Sequence, residues 1–559
     1  MPPVMRPEHT PLRPLSALAA LLGPDASLLR PDLGADRPPE VPDREVHVRG
    51  ITHDSRQVGP GDLYAALPGT RAHGADFAGQ AAEAGAAAVL TDGDGAERAA
   101  ATGLPVIVVP DVRAVLGTAA SWVFKDPAQD LLLIGTTGTS GKTTVTYLVE
   151  SGLRHAGMRT GLVGTVEMRV GDERVVSSLT TPEATDLHGL FALMRERGVS
   201  AAAMEVSSHA LALSRVGGTR YDVAVFTNLS QDHLDFHSDL RDYFDAKARL
   251  FTPEYCDIAV VNADDRFGRA LVDMVQADGR VPVTTFAVDG YTDADPATAM
   301  EADWRAVDVR LGAMGSAFRI VGPGGMEANA SVALPGPFNV SNAMAAIVGL
   351  VEAGLPLETA IAGVAAAPGV PGRMEPVVAN AVPHAFQDFT ALVDYSHKPG
   401  AIEAVLTALR ATTEGGLTMV VGCGGDRDRA KRPLMGEAAA RLSDQLVITN
   451  DNPRTEDPVS IAASMLEGVA KVPEEHRARV TVEFDRAEAI RLAVERARPG
   501  DVVVVAGKGH ETGQYVKGEV LPFDDREVLR AAIEDHLGMS ARERLGVALQ
   551  DIHRVPDQG

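Results

Sequence analysis

The segment Gly135-Thr-Thr-Gly-Thr-Ser-Gly-Lys142-Thr-Thr144 has the residue types and spacing to hold a phosphate. It follows the apolar run Leu131-Leu-Leu-Ile134 and leads into Val145-Thr-Tyr-Leu-Val-Glu150, the order strand, glycine loop, helix. Glycines let backbone N–H groups turn inward around an anion, the helix N-terminus adds partial positive charge, and Lys142 supplies a full one. Thr143 or Thr144 would ligate magnesium. The spacing departs from the general G-x-x-x-x-G-K-[ST] form: Thr136 stands where the first glycine belongs, and the glycines fall at Gly135, Gly138 and Gly141. A glycine-rich turn that only caps a helix is the competing reading.

Three further groups carry chemistry. Glu205, Ser207 and His209 alternate after the run Ala201–Met204, so in extended geometry they face one side. A carboxylate near nucleotide phosphates is best explained by magnesium, which takes hard oxygen ligands, and His233 would join it from the next strand end. The alternatives are a polar loop solvating itself and, for the histidines, a hydrogen-bonded structural role. Lys247 lies in the helical stretch Phe244-Asp-Ala-Lys-Ala-Arg-Leu-Phe251, where a lysine is ordinarily solvated. Arg427, Asp451, Asn452 and Arg454 combine two guanidinium forks with amide groups, which suits a small molecule bearing a carboxylate. An interdomain salt-bridge cluster is the other reading.

The elements that must position these residues fall into three α/β groups. Strands at Val46–Ile51, Leu63–Leu67, Ala86–Leu90 and Pro105–Val109, with helices at Phe77–Ala84 and Val112–Phe124, make a small N-terminal α/β domain over residues 1–128. Residues 1–45 form its flexible lead-in, apart from a short packing or surface helix at Leu15–Leu22. Residues 129–371 form a central P-loop ATPase domain with a mostly parallel sheet, its strands at Ala201–Met204, Val223–Phe226 and Ile258–Val261 alternating with helices at Leu187–Arg197 and Leu240–Leu250. Val307–Val321 reads as hairpin-like, and Asn339-Val-Ser-Asn342 opens an alanine-rich helix. Residues 372–538 repeat the alternation as a Rossmann-like domain, with strands at Leu417–Val421, Leu446–Thr449, Val480–Phe484 and Val502–Ala506. Residues 539–559 are a charged tail. Ligands gather at the carboxyl ends of parallel strands, where the polar segments above all lie.

The 559 residues exceed what one core serves. A net charge of −24 excludes a nucleic-acid or anionic-membrane surface, so anion binding must be local. Cys256 and Cys423, the two cysteines, make no disulfide framework and fit a reducing cytoplasm. No apolar run reaches the length of a membrane span.

The phosphate loop resembles the G-T-x-G-T-x-G-K-[ST] variant of the Mur ligase family. The similarity continues through Met204-Glu-Val-Ser-Ser-His-Ala210, Thr227-Asn-Leu-Ser-Gln-Asp-His233, Asn339-Val-Ser-Asn342, Gly372-Arg-Met374 and Asp394-Tyr-Ser-His-Lys-Pro399. Within the family Asp54-Ser-Arg56, Thr180-Thr-Pro182, Gly424-Gly-Asp-Arg427, Asp451-Asn-Pro-Arg454 and Gly507-Lys-Gly-His-Glu511 are most similar to the tripeptide-forming members. The resemblance implies a cytoplasmic, monomeric, ATP-dependent amide ligase of peptidoglycan precursor synthesis. It phosphorylates the D-glutamate side chain of UDP-N-acetylmuramoyl-L-alanyl-D-glutamate, and an amino acid amine attacks the acyl phosphate.

Carried over by position, the resemblance implies ATP binding by Gly138, Thr139, Ser140, Gly141, Lys142, Thr143, Thr144, Asn342, Arg373 and Asp394, the last two from the third domain, so that catalysis needs closure. Thr143, Glu205 and His233 would hold Mg2+. Lys247 matches the family lysine converted to N6-carboxylysine, a carbamate able to hold a second magnesium, and is catalytic with Lys142, Glu205 and His233. Ser55, Thr70, Arg71 and Ala72 would contact the uridine diphosphate end, and Thr180, Thr181, Ser207 and Arg215 the muramoyl dipeptide. Many relatives have glutamine two residues before that arginine; this chain has Leu213, whose side chain donates no hydrogen bond. Arg427, Asp451, Asn452, Pro453, Arg454, Gly507 and Glu511 would bind the incoming amino acid. The D-N-P-R form is associated with diaminopimelate, meso or LL, because its second carboxylate needs the arginine. Competing readings are a lysine-adding homologue, a folylpolyglutamate synthase-like ligase, and, in another class, a P-loop kinase or nucleotide switch.

Overall fold

A computed structural model describes residues 6–30, 45–69, 71–175, 179–234, 236–290, 301–312, 315–379 and 387–538. The chain folds as two compact units: the first takes residues 1–305, 321–326 and 342–366, the second 306–320, 327–341 and 367–559. Among the described residues no helix is long and apolar enough to cross a membrane.

In the first unit, strands Gly50–Thr52, Asp62–Ala65, Ala88–Thr91 and Val106–Val108 pair in parallel in sequence order. Ser27–Leu29 closes the edge antiparallel to Val106–Val108. The described part of the expected flexible lead-in is therefore structured. Leu28 pairs with Ile107, and the helix Leu15–Leu21 buries Leu15, Leu18 and Ala19, so apolar side chains order a segment whose proline content suggests looseness. Residues 31–44 lie outside the described residues, as does the tail 539–559.

The centre of this unit is a second sheet. Leu132–Thr137 lies between Ala201–Glu205 and Tyr221–Phe226, parallel to both, followed outward by Cys256–Asn262 and Val283–Val288. Thr160–Val163 lies beyond Ala201–Glu205, and the antiparallel strands Met168–Val170 and Glu173–Val175 finish that side. Leu133, Ala202, Met204, Ala224 and Phe226 are buried, as expected of parallel strands covered by helices on both faces. The helix Lys142–His155 leaves the phosphate loop with Val145, Leu148 and Val149 buried. The expected hairpin appears as Trp304–Gly312 and Gly315–Gly322, most of it in the second unit.

The extended run expected through Glu205, Ser207 and His209 stops at Glu205. Ser207 caps a short helix, Ser208–Ala212, its hydroxyl accepting from Ala210 N at 3.2 Å, and His209 lies within that helix. The serine's capping preference outweighs strand continuation, so the three residues do not share a strand face.

The second unit contains a sheet ordered Glu375–Pro376, Thr390–Asp394, Val502–Ala506, Leu417–Val421, Gln445–Ile448, Arg479–Val482, parallel except for the first. Thr390–Asp394 is a strand that composition alone does not mark.

Candidate active site

Glycines shape the phosphate loop where side chains have no room. Gly138 has φ +149°, and a Cβ there would come 1.9 Å from Thr227 Oγ1; Gly141 has φ +87° and would meet Asn342 Oδ1 at 2.4 Å. The loop is cradled by the end of the neighbouring strand. Thr227 Oγ1 donates to Ser140 O at 2.6 Å, Ser140 N to Asn228 Oδ1 at 3.0 Å, and Thr139 N to Asn228 O at 2.8 Å. Lys142 Nζ lies across the loop, donating to Gly138 O and Thr139 O at 2.9 and 3.1 Å. Thr143 and Thr144 are buried just behind it.

Lys247 is not solvated. It is 1% exposed, donates to Gly138 O at 2.8 Å and places its ammonium 4.6 Å from the centre of the Tyr243 ring. The helix Leu240–Ala248 turns this face toward the sheet, so a residue that composition reads as surface is buried against the phosphate loop. Tyr243 Oη lies 3.2 Å from Thr139 Oγ1, and burial pushes its phenol well above the ordinary tyrosine range.

Glu205, on the strand beside the phosphate loop and level with Thr136, is 1% exposed. Its carboxylate accepts from Thr165 N at 2.8 Å and Thr165 Oγ1 at 3.0 Å. Thr165 Oγ1 lies 3.0 Å from Thr180 Oγ1, from which it can accept, Thr181 Oγ1 donates to Glu205 O at 2.9 Å, and Ser207 N donates to Thr181 Oγ1 at 3.2 Å. Arg215 Nη1 reaches Thr181 O at 3.5 Å while its Nε pairs with Glu183 at 2.9 Å. Thr180, Thr181, Ser207 and Arg215 thus form one patch around Glu205. Arg113 pairs with Glu183 at 3.3 Å and reaches Leu213 O at 3.5 Å, so position 213 contributes its backbone.

His233 adopts φ +53° beside Asp232, 3.1 Å away, and its ring meets His209 edge-on with centroids 4.8 Å apart. Among the described residues no three His, Cys, Asp or Glu side chains are arranged to hold a metal ion. Oxygen groups are nevertheless present around the loop: the Glu205 carboxylate, level with Thr136 on the adjacent strand, the Thr143 hydroxyl, and the buried Thr136 and Thr137 hydroxyls, which have no protein partner among the described residues. That set suits a hard cation.

Ser55 is 9% exposed and donates to Gln80 Oε1 at 3.0 Å, while Asp54 accepts from Arg56 N and its guanidinium. Arg71 and Ala72 are exposed; Thr70 lies outside the described residues. His53 Nδ1, 2.8 Å from Thr185 Oγ1, ties the segment before Ser55 to the helix after Thr181.

In the second unit, Asp394 ends its strand accepting from Met374 N at 2.8 Å and Ser396 N at 2.7 Å, and the Arg373 guanidinium lies 4.3 Å above the Tyr395 ring. The neighbouring strand ends form a second cluster. Gly507, at φ +113°, leaves room for Asp451 Oδ2, which a Cβ would approach to 2.5 Å. Asp451 is buried, its Oδ2 has no hydrogen-bond partner among the described residues, and burial raises its pKa against the pull of Arg486 and Lys508. Asn452 donates to Glu511 Oε2 at 2.9 Å and accepts from Lys508 Nζ at 3.1 Å and Tyr515 N at 3.0 Å. Lys508 is fully buried and also donates to Glu511 Oε2 and Gly513 O, at 3.1 and 2.7 Å.

Arg454 has φ +54° and donates to Gly425 O at 2.8 Å. A Cβ on Gly424 would lie 3.0 Å from Arg454 Nη1 and 3.9 Å from Arg427 Cγ, so both arginines flank this glycine. Pro453 packs its carbonyl against Gly425, 2.0 Å from where a Cβ would stand. Neither Arg427 nor Arg454 pairs with a carboxylate among the described residues. Two guanidinium forks and the Asp451, Asn452 and Glu511 oxygens, on neighbouring strand ends, offer groups of both signs for the two ends of an amino acid.

Thr165, Tyr243 and Arg113 carry no sequence signal of a role here; Thr227, Asn228 and Lys508 lie inside family motifs that assign them no part. Motif spacing marks what a ligand touches more readily than what holds the loop.

A phosphate loop at the carboxyl end of a parallel sheet, with a buried carboxylate on the adjacent strand, defines an α/β enzyme of the P-loop class. The chain belongs to the Mur ligase family. Residues 47–122 match the family's catalytic domain, 136–350 the Mur ligase middle domain, and 372–509 the Mur ligase, glutamate ligase domain. A Streptomyces avermitilis protein named UDP-N-acetylmuramoyl-L-alanyl-D-glutamate--2,6-diaminopimelate ligase is 56% identical over 533 residues, 95% of this chain and 99% of that one. A Corynebacterium glutamicum protein of the same name is 47% identical over 502 residues, 88% of this chain and 93% of that one. A solved structure of a protein so named superposes with a TM-score of 0.62 at 33% identity, covering 88% of this chain and 95% of that one.

Proposed function

We propose that this protein is an ATP-dependent amide ligase that joins diaminopimelate to the D-glutamate side chain of UDP-N-acetylmuramoyl-L-alanyl-D-glutamate. The observation that carries the choice of amino acid is that Arg454 and Arg427 both flank Gly424, neither of them in an ion pair with a carboxylate among the described residues. The names of the Streptomyces and Corynebacterium relatives support the same assignment.

On this reading Lys142 leaves the loop carbonyls to neutralise the phosphates of ATP, and the inward N–H groups of 138–144 hold their oxygens. Asn342, Arg373 and Asp394 contact the nucleotide. Thr143, Glu205 and His233 would hold Mg2+, which would neutralise phosphate charge when bound. The Thr180, Thr181, Ser207 and Arg215 patch around Glu205 orients the dipeptide so that its side-chain carboxylate attacks the terminal phosphorus of ATP, and ADP leaves. The diaminopimelate amine, deprotonated, then attacks the acyl carbon, and phosphate leaves with the C–O bond electrons. Phosphorylation is needed because a carboxylate oxygen is a poor leaving group. Ser55, Arg71 and Ala72, with Thr70, take the uridine diphosphate end.

Lys247 acts as its carbamate, for which Gly138 O and the Tyr243 ring define the pocket. Residues 1–128, 129–371 and 372–538 act as three domains of a monomer in the cytoplasm, where Cys256 and Cys423, buried with both thiols pushed up to about 12, stay reduced.

Phosphate release with ATP and the muramoyl dipeptide should depend on diaminopimelate and not on lysine, and should be absent with folate and glutamate. Arg454→Ala removes a charge-assisted pair of about 1.5–3 kcal/mol, so the KM for diaminopimelate rises about 10–150-fold while that for ATP stays within twofold. Equal loss of both affinities, or phosphate release independent of any amine, refutes the assignment.

A further inference from the structure

The loops that present Arg427 and Arg454 are tied to each other by two carboxylates, each capping the other loop's backbone. Glu456 Oε2 accepts from Asp426 N at 3.0 Å, and Asp426 Oδ2 accepts from Thr455 N at 2.9 Å and Thr455 Oγ1 at 2.8 Å. This exchange is fastened to a helix. Arg432, 1% exposed, grips both oxygens of Glu456 at 2.9 and 2.8 Å and sends Nη2 to Gly424 O at 3.3 Å. Its helix, Lys431–Leu442, packs backbone to backbone on Pro458–Val469: a Cβ on Gly436 would lie 2.1 Å from Met465 O, and one on Gly468 1.7 Å from Pro433 O.

Strain accompanies the arrangement. Asp426, immediately before Arg427, has φ +53°, and Arg454 has φ +54°. Left-handed backbone at residues with side chains persists only where the surroundings impose it. Asp426 takes part in the exchange through both its N–H and its carboxylate, and Arg454 is joined to it through the adjacent Thr455. Relaxation of either would swing a guanidinium away from its fellow across Gly424.

Resting on the assignment of Arg427 and Arg454 to the amino acid, we propose that Asp426 and Glu456 form a reciprocal clasp, anchored on Arg432, that fixes the spacing of these two guanidiniums. The clasp thereby sets the preference for an amino acid with a second carboxylate. Both are positioning residues: the bonds that involve them run to the facing loop and to Arg432. The Arg432 guanidinium holds the Glu456 carboxyl down to about 2, so the clasp stays charged at working pH.

The test uses the full chain with ATP and the muramoyl dipeptide, reading kcat and KM for diaminopimelate and for lysine. Glu456→Gln removes the charged fork, and Asp426→Asn, at an exposed position, removes the other half with little risk to folding. Each should lower the ratio of kcat/KM for diaminopimelate over lysine about tenfold or more, with the KM values for ATP and dipeptide within twofold. Arg432→Lys keeps the charge but loses the fork, and should shift the ratio the same way. If Arg454→Ala collapses the ratio while Glu456→Gln and Asp426→Asn leave it within twofold, the clasp is refuted and the site stands. If Arg454→Ala itself leaves the ratio unchanged, the site assignment fails and the clasp with it.

Discussion

Arg486 and Asp525 form an ion pair with both side chains at 0% exposure, and its removal should weaken the fold and the amino-acid site together. The geometry is bidentate: Nε to Oδ1 and Nη2 to Oδ2, each 2.7 Å. The guanidinium also donates to Asn450 O at 3.2 Å and Ala506 O at 2.9 Å, the carbonyls just before Asp451 and Gly507. Arg486→Met keeps volume but strands a buried carboxylate, which costs about 3–5 kcal/mol. Arg486→Met with Asp525→Leu removes both charges and leaves two carbonyls short of a donor, about 1 kcal/mol each, so the double variant should be the more stable of the two. For a domain of roughly 150–250 residues, where 1 kcal/mol moves Tm by about 2–4 °C, the single variant should lower the calorimetric transition by about 6–20 °C. At a temperature where it remains folded, its KM for diaminopimelate should rise, because both strand ends have lost their anchor. A shift below about 2 °C, or a double variant weaker than the single, would refute the reasoning.

His188 is fully buried; its Nε2 lies 2.9 Å from Gly217 O and its Nδ1 has no partner, so the neutral ring with a proton on Nε2 fits and the charged ring does not. Burial lowers its pKa to about 4, so the unfolded chain binds the extra proton first as pH falls. The stability it contributes is complete above about pH 6.5 and is lost as pH drops toward 4, on the order of 2–3 kcal/mol at pH 4.5. Denaturant titrations at pH 7 and 4.5 should show a smaller pH difference in His188→Asn; an unchanged difference excludes this ring as a source. For Lys247, the buried position predicts that Lys247→Ala loses nearly all turnover and that acetate or bicarbonate restores at least tenfold of it, by supplying the missing carboxylate. Loss of turnover without rescue would leave the lysine a prop for Gly138 rather than the source of an anionic ligand.

The alternation of strands and helices is legible in the sequence because parallel strands buried on both faces read as apolar runs: Leu417–Val421 and Val502–Ala506 are both expected, and both occur as such. Thr390–Asp394 is hidden because its run is short and merges into the polar motif at its end. Glu205 is legible as a carboxylate at a strand end, but its expected companions are not beside it on that strand, because Ser207 caps a helix and period-two reasoning breaks at that serine. Lys247 and Lys508 expose the larger limit. A lysine's burial depends on which helix face the fold turns inward, and on acceptors such as Gly138 O and Gly513 O that lie far off in sequence or on the backbone. Side-chain identity says nothing about either.

The glycine spacing that sets this phosphate loop apart from the general form has a physical cause. Gly135 does not line the anion turn; it sits within the strand, where a Cβ would come 2.7 Å from the Tyr221 ring on the adjacent strand. Thr136 replaces the expected first glycine because that position is still paired, level with Glu205 on one side and Val225 on the other, so the turn begins only after Thr137. The turn itself needs Gly138 against Thr227 and Gly141 against Asn342, both in the left-handed half of backbone space. Each glycine therefore answers to a residue elsewhere in the chain. Substituting Thr227 or Asn342 would disturb the loop as directly as substituting a glycine, so these two side chains belong to the architecture of the phosphate loop as much as the loop's own residues do.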